Sequence, residues 1–391
     1  MEKVLGLLGI FGIVGLVYTI SPNKKDINWK SVGLAFVMQV VLAGALILTP
    51  LWKVVEFSSN IVSNLLVYAN EGISFVFGDL FGGGWSLFLG GLMPVVFISS
   101  LTGLAFHFGV LQKFVKLIGL TVAKLFKVDP IVAVNGVSNM FLGQSDSLFI
   151  TKNYLPKASD SVIFATLVGG MTSISVAVVG VYASMGASME WILVSMPLTV
   201  FSCFVLTQLF MPTDYKGVNE VEVSTEGKGD NFLETMVNYG RTGFDAVIGI
   251  AIALLVFISF ISLVNGVIGA VVPSLTLQKI LGIVFYPLSL FMGVPAGEVG
   301  VVSQILATKC ILNESVAFGL PEFTMLSVNA KAMVTVALCG FAGIGSIGIL
   351  IGAYSSIAPN KVKTVVKLGV KALFIATLVN IMSGAVIGLF L

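Results

Sequence analysis

The stretch FLGQSDSLFITKNYLP, residues 141–156, places a polar group in the middle of a hydrophobic chain. Gly143 to Ser147 are small or polar in succession, and apolar sequence extends far on both sides. Hydrophobic residues make up 57% of the 391 residues and charged residues 10%, and the mean hydropathy is +1.04. A water-soluble domain needs far more charge on its surface. The composition therefore predicts an all-α polytopic membrane protein, in which a polar group at this place needs a reason.

Charge and chemistry exclude several function classes. The net charge of +2 is too small, and the basic residues are too scattered, to indicate a nucleic-acid partner. The three cysteines, Cys203, Cys310 and Cys339, form no CxxC pair, so we expect neither a disulfide framework nor a zinc site. A membrane enzyme needs a nucleophile with a base or a metal cluster, but the chain has one histidine, no HExxH and no GxSxG. We therefore expect no enzyme and no cofactor, and we expect His107 to be a hydrogen-bonded interior residue rather than a proton relay.

A hydropathy window of about 19 residues predicts eight membrane spans. They cover residues 2–20, 31–52, 87–111, 160–185, 190–211, 243–268, 330–357 and 368–390. No small-x-small cleavage site follows the first of these, so it is predicted to be a span and not a signal peptide. Residues 54–71 and 112–128 mix apolar and polar residues at helical spacing, which predicts helices lying in the membrane interface. The polar residues 213–235 are predicted to form a solvated loop.

Lysine predicts the orientation. If the N-terminus lies outside, most of the 21 lysines and arginines fall in cytoplasmic segments. The positive-inside rule therefore favours an outside position for both termini.

Two further apolar stretches are too interrupted to span a bilayer. Residues 130–156 and 296–325 both read as helix, short polar break, helix and then proline. The predicted breaks are 143–147 and 313–315, and Pro156 is expected to close the first return helix. Non-helical backbone at membrane depth is tolerated only where it is packed in protein or lines a water-filled cavity. The two stretches therefore predict re-entrant hairpins around a cavity, the pattern of a transporter binding site.

The hairpins belong to matching halves of the chain. Each is followed by a glycine-rich helix, GGMTSISVAVVGVYASMG from residue 169 and CGFAGIGSIGILIGAYSS from residue 339. Aligning Gly170 with Gly340 sets Ser173 beside Gly343. With the lysine-based orientation the two hairpins enter from opposite faces, so the sequence predicts an inverted repeat with its site near the midplane.

Asp146 and Glu314 stand at the two predicted tips. An ionisable group at bilayer depth costs about 2.5–3.5 kcal/mol on insertion scales, so an acid at each tip indicates a function. Gln144, Ser145 and Asn313 would add directional hydrogen bonds to a polar solute. The alternative is that these side chains only cap the broken helices and satisfy one another.

The blocks GQSDS, GGMTSIS, LNESVAF and GFAGIGSIGI resemble, in order and spacing, the signature blocks of the concentrative nucleoside transporters. The resemblance covers nearly the whole chain, from SPNKKDINWK to IMSGAVIG. It implies a homotrimer in a bacterial plasma (inner) membrane that imports nucleosides on a sodium or proton gradient. It also implies two parts that move against each other. The scaffold would consist of residues 1–128 and of residues 213–290, which contain the loop and the sixth span. The transport part would consist of residues 129–212 and 291–391.

The same resemblance implies the site residues. Gln144, Ser145 and Asp146 would contact the nucleobase, and Glu314, Phe341 and Ser346 would contact the ribose, with Asn313 beside them. The sodium site would consist of the Asn139 and Ser173 side chains with the carbonyls of Leu142 and Ile174.

The chain departs from the family pattern at the site itself. Where the family usually has Thr-Glu-Ala-Pro, this chain has Ser-Asp-Ser-Leu at residues 145–148. Where the family usually has GFAN, this chain has GFAG, with Gly343 in place of the asparagine. The changes at Ser145, Asp146 and Gly343 each remove atoms, so we expect a roomier pocket that prefers purine nucleosides, with a weakened or water-mediated ribose contact.

Other readings stay open. Asn139 and Ser173 favour sodium as the coupling ion, and Asp146 or Glu314 would carry a proton in the alternative. The solute could instead be another polar heterocycle such as a nucleobase, or the chain could be a membrane nucleoside sensor. An ion channel is disfavoured because a pore needs rings of charge or carbonyls, whereas acids on two hairpin tips suit an occludable solute site.

Overall fold

The computed structural model describes residues 2–82, 86–215, 221–224 and 228–391. These residues form helices and connecting turns with no strand among them, which confirms the all-α prediction. In chain order the helices are α1 Glu2–Ile20, α2 Trp29–Leu48, α3 Trp52–Phe77, α4 Asp79–Gly82, α5 Pro94–His107, α6 Val110–Phe126, α7 Pro130–Leu142, α8 Asp146–Ile150, α9 Asp160–Thr172, α10 Val179–Ser184, α11 Met189–Phe210, α12 Phe232–Val271, α13 Leu277–Met292, α14 Val299–Ile311, α15 Glu314–Phe318, α16 Pro321–Thr324, α17 Val328–Leu338, α18 Ile344–Ile357 and α19 Val362–Gly388.

Within the described residues, seven segments are long and apolar enough to cross a bilayer. They are Glu2–Ile20, Trp29–Leu48, Leu87–His107, Asp160–Ser184, Met189–Phe210, Phe232–Val271 and Pro359–Gly388. Seven of the predicted spans overlap these segments, and the eighth, 330–357, is divided between α17 and α18. The segments predicted at the interface, 54–71 and 112–128, are helical and correspond to α3 and α6.

The glycine-rich stretches are broken helices, which corrects the prediction of continuous spans at 160–185 and 330–357. After α9 ends at Thr172, Ser173 and Ser175 have extended backbone, and α10 begins only at Val179. After α17 ends at Leu338, the backbone is extended again at Gly343 before α18 begins. A window of about 19 residues misses such breaks, because a few serines and glycines hardly lower the mean of a long apolar run.

Both hairpins have the predicted order of helix, break and short helix, with narrower breaks than predicted. The first break covers Gly143 to Ser145, because Asp146 and Ser147 already belong to α8. The second covers Leu312 and Asn313, because α15 starts at Glu314. Pro156 does not close the first return helix, since α8 ends at Ile150, where the Thr151 N–H donates to the Leu148 carbonyl at 3.1 Å in a tight turn.

α12 is longer than its predicted span. It has 40 residues, which gives a length of ~60 Å at the α-helical rise, about twice the hydrocarbon thickness of a bilayer. α12 begins at Phe232, so the last residues of the predicted loop 213–235 are helical. The side chain of Asn231 accepts from the Glu234 N–H at 2.9 Å and caps the first turn. Residues 221–224 of that loop pack on the first hairpin, where the Ser224 N–H donates to the Ile150 carbonyl at 3.1 Å. Residues 216–220 and 225–227 lie outside the described residues.

α13 is a helix that the sequence analysis did not predict. It has 16 residues, shorter than a span requires, with a proline at 287 inside it. It packs along α14, the first arm of the second hairpin.

α9, α11 and α19 form the centre of the molecule and are largely buried, whereas α1, α2 and α12 leave much of their apolar surface outward. α12 lies along α5, α2 along α11, and α1 against α19 and α13. The close approach of α12 to α5 depends on small residues: a Cβ on Gly243 would lie only 2.7 Å from the Cβ of Ser99. Outward apolar side chains on such helices are what a lipid environment requires.

Candidate functional site

The first tip is a tight turn made by a glycine. Gly143 has a φ of 89°, in the region that side chains rarely adopt. Its N–H donates to the Asn139 carbonyl at 3.1 Å, and its carbonyl accepts from the Ser147 N–H at 3.1 Å. Gln144 and Ser145 are thereby held between the two short helices, and Asp146 becomes the first residue of α8.

This tip lies against the break between α9 and α10. A Cβ on Gly170 would meet the Cβ of Gln144 at 3.5 Å, and a Cβ on Gly143 would meet the Cβ of Ser175 at 3.5 Å. The Asn139 Nδ2 donates to the Gly169 carbonyl at 2.8 Å, near the end of α9. The tip of the first hairpin and the break between α9 and α10 are therefore in direct contact.

Three amide oxygens on this hairpin are buried without a hydrogen-bond partner among the described residues: Asn135 Oδ1, Asn139 Oδ1 and Gln144 Oε1. Buried acceptors are almost always satisfied, so unpaired oxygens of this kind indicate room for a cation, a water or a donor on a ligand. Of the residues predicted for the sodium site, Asn139, Ser173 and Ile174 are fully buried. The Ser173 hydroxyl donates to the Ile174 carbonyl at 3.3 Å, and Leu142 is the last residue of α7.

The second tip holds its acid differently. The Asn313 side chain caps α15 by accepting from the Val316 N–H at 2.9 Å, so this residue does serve the capping role of the alternative interpretation. Glu314 is 7% exposed, and its Oε1 accepts from the Tyr182 hydroxyl at 2.9 Å. The Tyr182 ring stacks on Phe318 with centroids 4.6 Å apart. The acid is thus oriented by a tyrosine from α10.

The first acid lies beside an open cavity. Asp146 lines a cavity of about 360 Å³, a volume in the range of small-molecule sites. The other lining residues are Phe106, Leu142, Phe149, Ile150, Ser224, Asn238, Tyr239 and Thr242. α12, which supplies the last three of these, also contacts α15 of the second hairpin. One long helix therefore passes both tips.

The remaining predicted residues lie at the break between α17 and α18. Phe341 is partly buried against the core, and the Ser346 hydroxyl donates to the Phe341 carbonyl. A Cβ on Gly343 would lie 3.1 Å from the Leu312 carbonyl oxygen and 3.2 Å from that of Lys309. A side chain at 343 would therefore be tight against the second hairpin, and the expectation of a roomier pocket stays a prediction.

Three contacts were not predicted from the sequence: that of Tyr182 with Glu314, that of Tyr239 with the cavity of Asp146, and that of His107 with Thr235. Tyr182 lies 132 residues from Glu314 in the chain, and no local pattern joins them. The only hint in the sequence was the tyrosine within GVYAS, residues 180–184, which follows the glycine-rich stretch. His107 Nδ1 lies 2.8 Å from the Thr235 hydroxyl, a partner of the kind expected for an interior histidine.

Comparison with known proteins agrees with this arrangement. A family model described as the Na+ dependent nucleoside transporter C-terminus matches residues 191–388, and its N-terminal counterpart matches residues 8–80. The nucleoside permease NupC of Helicobacter pylori is 30% identical over 98% of this chain and 98% of its own length. The purine nucleoside transport protein NupG of Bacillus subtilis is 26% identical over the full length of both chains.

A solved structure of the transporter CNTnw, in an inward-facing substrate-bound state, superimposes with a TM-score of 0.94 at 31% identity. It covers 100% of this chain and 99% of its own. Family models that match both ends of the chain, together with a full-length structural match, show that the chain belongs to the concentrative nucleoside transporter family.

Proposed function

We propose that this protein imports nucleosides by cation symport, with sodium as the coupling ion. The observation that carries the proposal is the pairing of two hairpin tips, Asp146 half-buried beside an open cavity and Glu314 buried and held by Tyr182, with unpaired amide oxygens next to the first. Together they supply acceptors for a solute rich in donors and an oxygen-lined place for a cation. The named activities of the Helicobacter and Bacillus relatives support a nucleoside as the solute.

In this proposal the residues of the first hairpin tip contact the nucleobase. Gln144 has a free amide oxygen, and Ser145 and Asp146 follow it at the same turn. Glu314 accepts from the ribose hydroxyls, with Phe341 and Ser346 beside it and the Asn313 amide group as a donor. Tyr239 and Asn238 of α12 complete the cavity on the side of Asp146.

Sodium is favoured over a proton for a chemical reason. Asn139 Oδ1 and the Ser173 and Ile174 oxygens are neutral and buried, which suits a monovalent metal ion. The description of the family model, which names sodium, supports the same choice. In the proton alternative, Asp146 or Glu314 carries the charge.

Uptake into proteoliposomes tests both parts. Labelled nucleoside should accumulate above its outside concentration when a sodium gradient is imposed, and not when a proton gradient is imposed alone. Asn139→Ala should abolish the sodium response, whereas Ser138→Ala, a neighbouring buried residue that bonds to the Asn135 carbonyl at 2.9 Å, should retain it. Binding without accumulation would favour a sensor, and stronger competition by free bases than by nucleosides would favour a nucleobase carrier.

A preference for purines is the finer proposal. Ser145 and Asp146 are shorter than the usual family residues, and the Bacillus relative is named for purine nucleosides. Guanosine and inosine should therefore compete for uptake better than uridine does. A clear uridine preference would contradict the proposal.

The molecular setting is proposed as well. The protein would be a homotrimer in a bacterial inner membrane with both termini outside. Residues 1–128 and 213–290 would form the scaffold against which residues 129–212 and 291–391 move. Reporter fusions at the two termini and the mass of the detergent-solubilised oligomer test the orientation and the trimer.

A further inference from the structure

The second hairpin contains a buried lysine that the site described above does not use. Lys309 is 4% exposed, and its ammonium donates to the Ala337 carbonyl at 2.7 Å and to Asn380 Oδ1 at 2.9 Å. Asn380 in turn donates from Nδ2 to the Thr172 carbonyl at 2.8 Å. One ammonium thus connects the second hairpin with the ends of both broken helices, α17 and α9. A buried charge is costly, so a lysine here needs a reason that a methionine would not satisfy.

The geometry around Lys309 repeats that around Asn139 in the other half. Asn139 lies near the end of α7 and donates to the Gly169 carbonyl near the end of α9. Lys309 lies near the end of α14 and donates to the Ala337 carbonyl near the end of α17. In each half, the first hairpin arm therefore binds a carbonyl at the C-terminal end of the following broken helix.

The two halves differ in charge. Asn139 is neutral and leaves Oδ1 unpaired, so the first half has room for a cation from outside. Lys309 brings its own positive charge, which interacts electrostatically with Glu314, and both of its hydrogen-bond acceptors are neutral oxygens, a carbonyl and an amide. Neutral oxygens at helix C-termini are the ligands that a monovalent cation takes in such transporters.

We propose that the Lys309 ammonium is a resident cation, occupying in the second half the place that the mobile cation occupies in the first. The protein then takes up one mobile cation, at Asn139, and needs none at the second half. This inference rests on the proposed cation symport for its functional meaning, but the charge at Lys309 is testable without transport.

The direct test is cation binding by a variant that lacks the charge. Lys309→Ala is purified in detergent, and its melting temperature is measured in sodium, potassium and methylammonium chloride at constant ionic strength. We expect a lower melting temperature than in the unaltered protein, a rise with methylammonium that the unaltered protein does not show, and a larger rise with sodium than the sodium site at Asn139 gives the unaltered protein. Lys331→Ala is the matched control, because Lys331 lies over the Phe323 ring near the same hairpin and donates to no carbonyl within the described part of the chain.

A second variant separates charge from packing. Lys309→Gln keeps N–H donors on a side chain one atom shorter and is neutral, so its uptake should fall about tenfold at low sodium and recover with a steeper sodium dependence. Wild-type uptake and sodium dependence in Lys309→Gln would overturn the proposal, as would a Lys309→Ala melting temperature that responds to sodium and methylammonium no more than that of the unaltered protein. If the unaltered protein transports no nucleoside, the proposed function fails, and the melting experiment still decides the role of Lys309.

Discussion

A Cβ at Gly343 would be tight against the second hairpin. The carbonyl oxygens of Leu312 and Lys309 would lie 3.1 and 3.2 Å from that atom. The backbone at Gly343 is extended, with a φ of −135°, so conformation alone would allow another residue. A side chain at 343 would therefore require the end of the hairpin to shift by a few tenths of an ångström.

Restoring the family residue should harm this protein. We expect Gly343→Asn to lower stability by about 1–3 kcal/mol, the usual cost of overpacking, and to reduce uptake because it pushes the tip of Glu314 outward. Thermal melting and nucleoside uptake measure the two effects. Gly345→Ala is the control, since a Cβ there meets nothing within 4 Å. Unchanged melting and better uptake in Gly343→Asn would show that the space is free after all.

Tyr182 orients Glu314, and a single atom tests this. Tyr182→Phe removes the hydroxyl that donates to Oε1 at 2.9 Å while keeping the stack on Phe318. Hydrogen bonds to charged groups are worth about 1.5–3 kcal/mol, so we expect KM for nucleosides to rise roughly 10-fold to 100-fold with a smaller change in maximal rate.

Tyr354→Phe provides the comparison for Tyr182. It also loses a buried hydroxyl contact, at 2.6 Å, but the partner of that hydroxyl is Thr166 and not Glu314. Its stability should fall while its KM stays the same. An equal rise of KM in both variants would mean that general loosening, and not the orientation of Glu314, is responsible.

At the scale of elements, the hairpins were predictable and the breaks in the following helices were not. Clusters of polar residues such as Gly143 to Ser147 stand out in an apolar chain, and their function at membrane depth follows from backbone hydrogen bonding. Ser173 and Gly343 give no such signal, because small residues also occur within membrane helices. At the ends of α9 and α17, backbone carbonyls accept instead from hairpin side chains that lie 30 and 28 residues away in sequence, Asn139 and Lys309.

The two broken helices meet at their breaks, at Gly340. A Cβ on Gly340 would lie 2.6 Å from both the Thr172 carbonyl oxygen and Asn380 Nδ2. We expect Gly340→Ala to destabilise the protein by about 1–3 kcal/mol, because backbone atoms of one helix would have to move away from the other. Melting of the purified protein measures this, with Gly352→Ala, which is open within 4 Å, as the control. Equal melting of the two variants would mean that the crossing is looser than the distances indicate.

For the whole molecule, composition and hydropathy were enough to predict a helical membrane protein and most of its long helices. They could not give the length of α12, since its first turns are polar enough to resemble a loop. Composition and hydropathy also could not predict that Tyr182 contacts Glu314 or that Tyr239 lines the cavity of Asp146, because both contacts depend on packing between helices distant in sequence. The division into scaffold and transport parts came from resemblance, and it stays a prediction.

That division can be tested by linking elements across it and within it. Ser63 of α3, in the proposed scaffold, lies 3.6 Å from Met189 of α11, in the proposed transport part, as measured from Oγ to Sδ. Phe108 and Phe232, both in the proposed scaffold, have ring centroids 6.5 Å apart. Each pair is changed to cysteines in a background without the three native cysteines, and a short reducible linker joins them.

If the transport part slides against the scaffold, the Ser63→Cys and Met189→Cys link should stop uptake, and reduction should restore it. The Phe108→Cys and Phe232→Cys link should leave uptake near that of the unlinked protein, because no relative motion crosses it. Transport by the linked Ser63 and Met189 pair would place the moving boundary elsewhere. α3 would then have to travel with α11, and the search for the boundary would turn to the surface where α12 passes both hairpin tips.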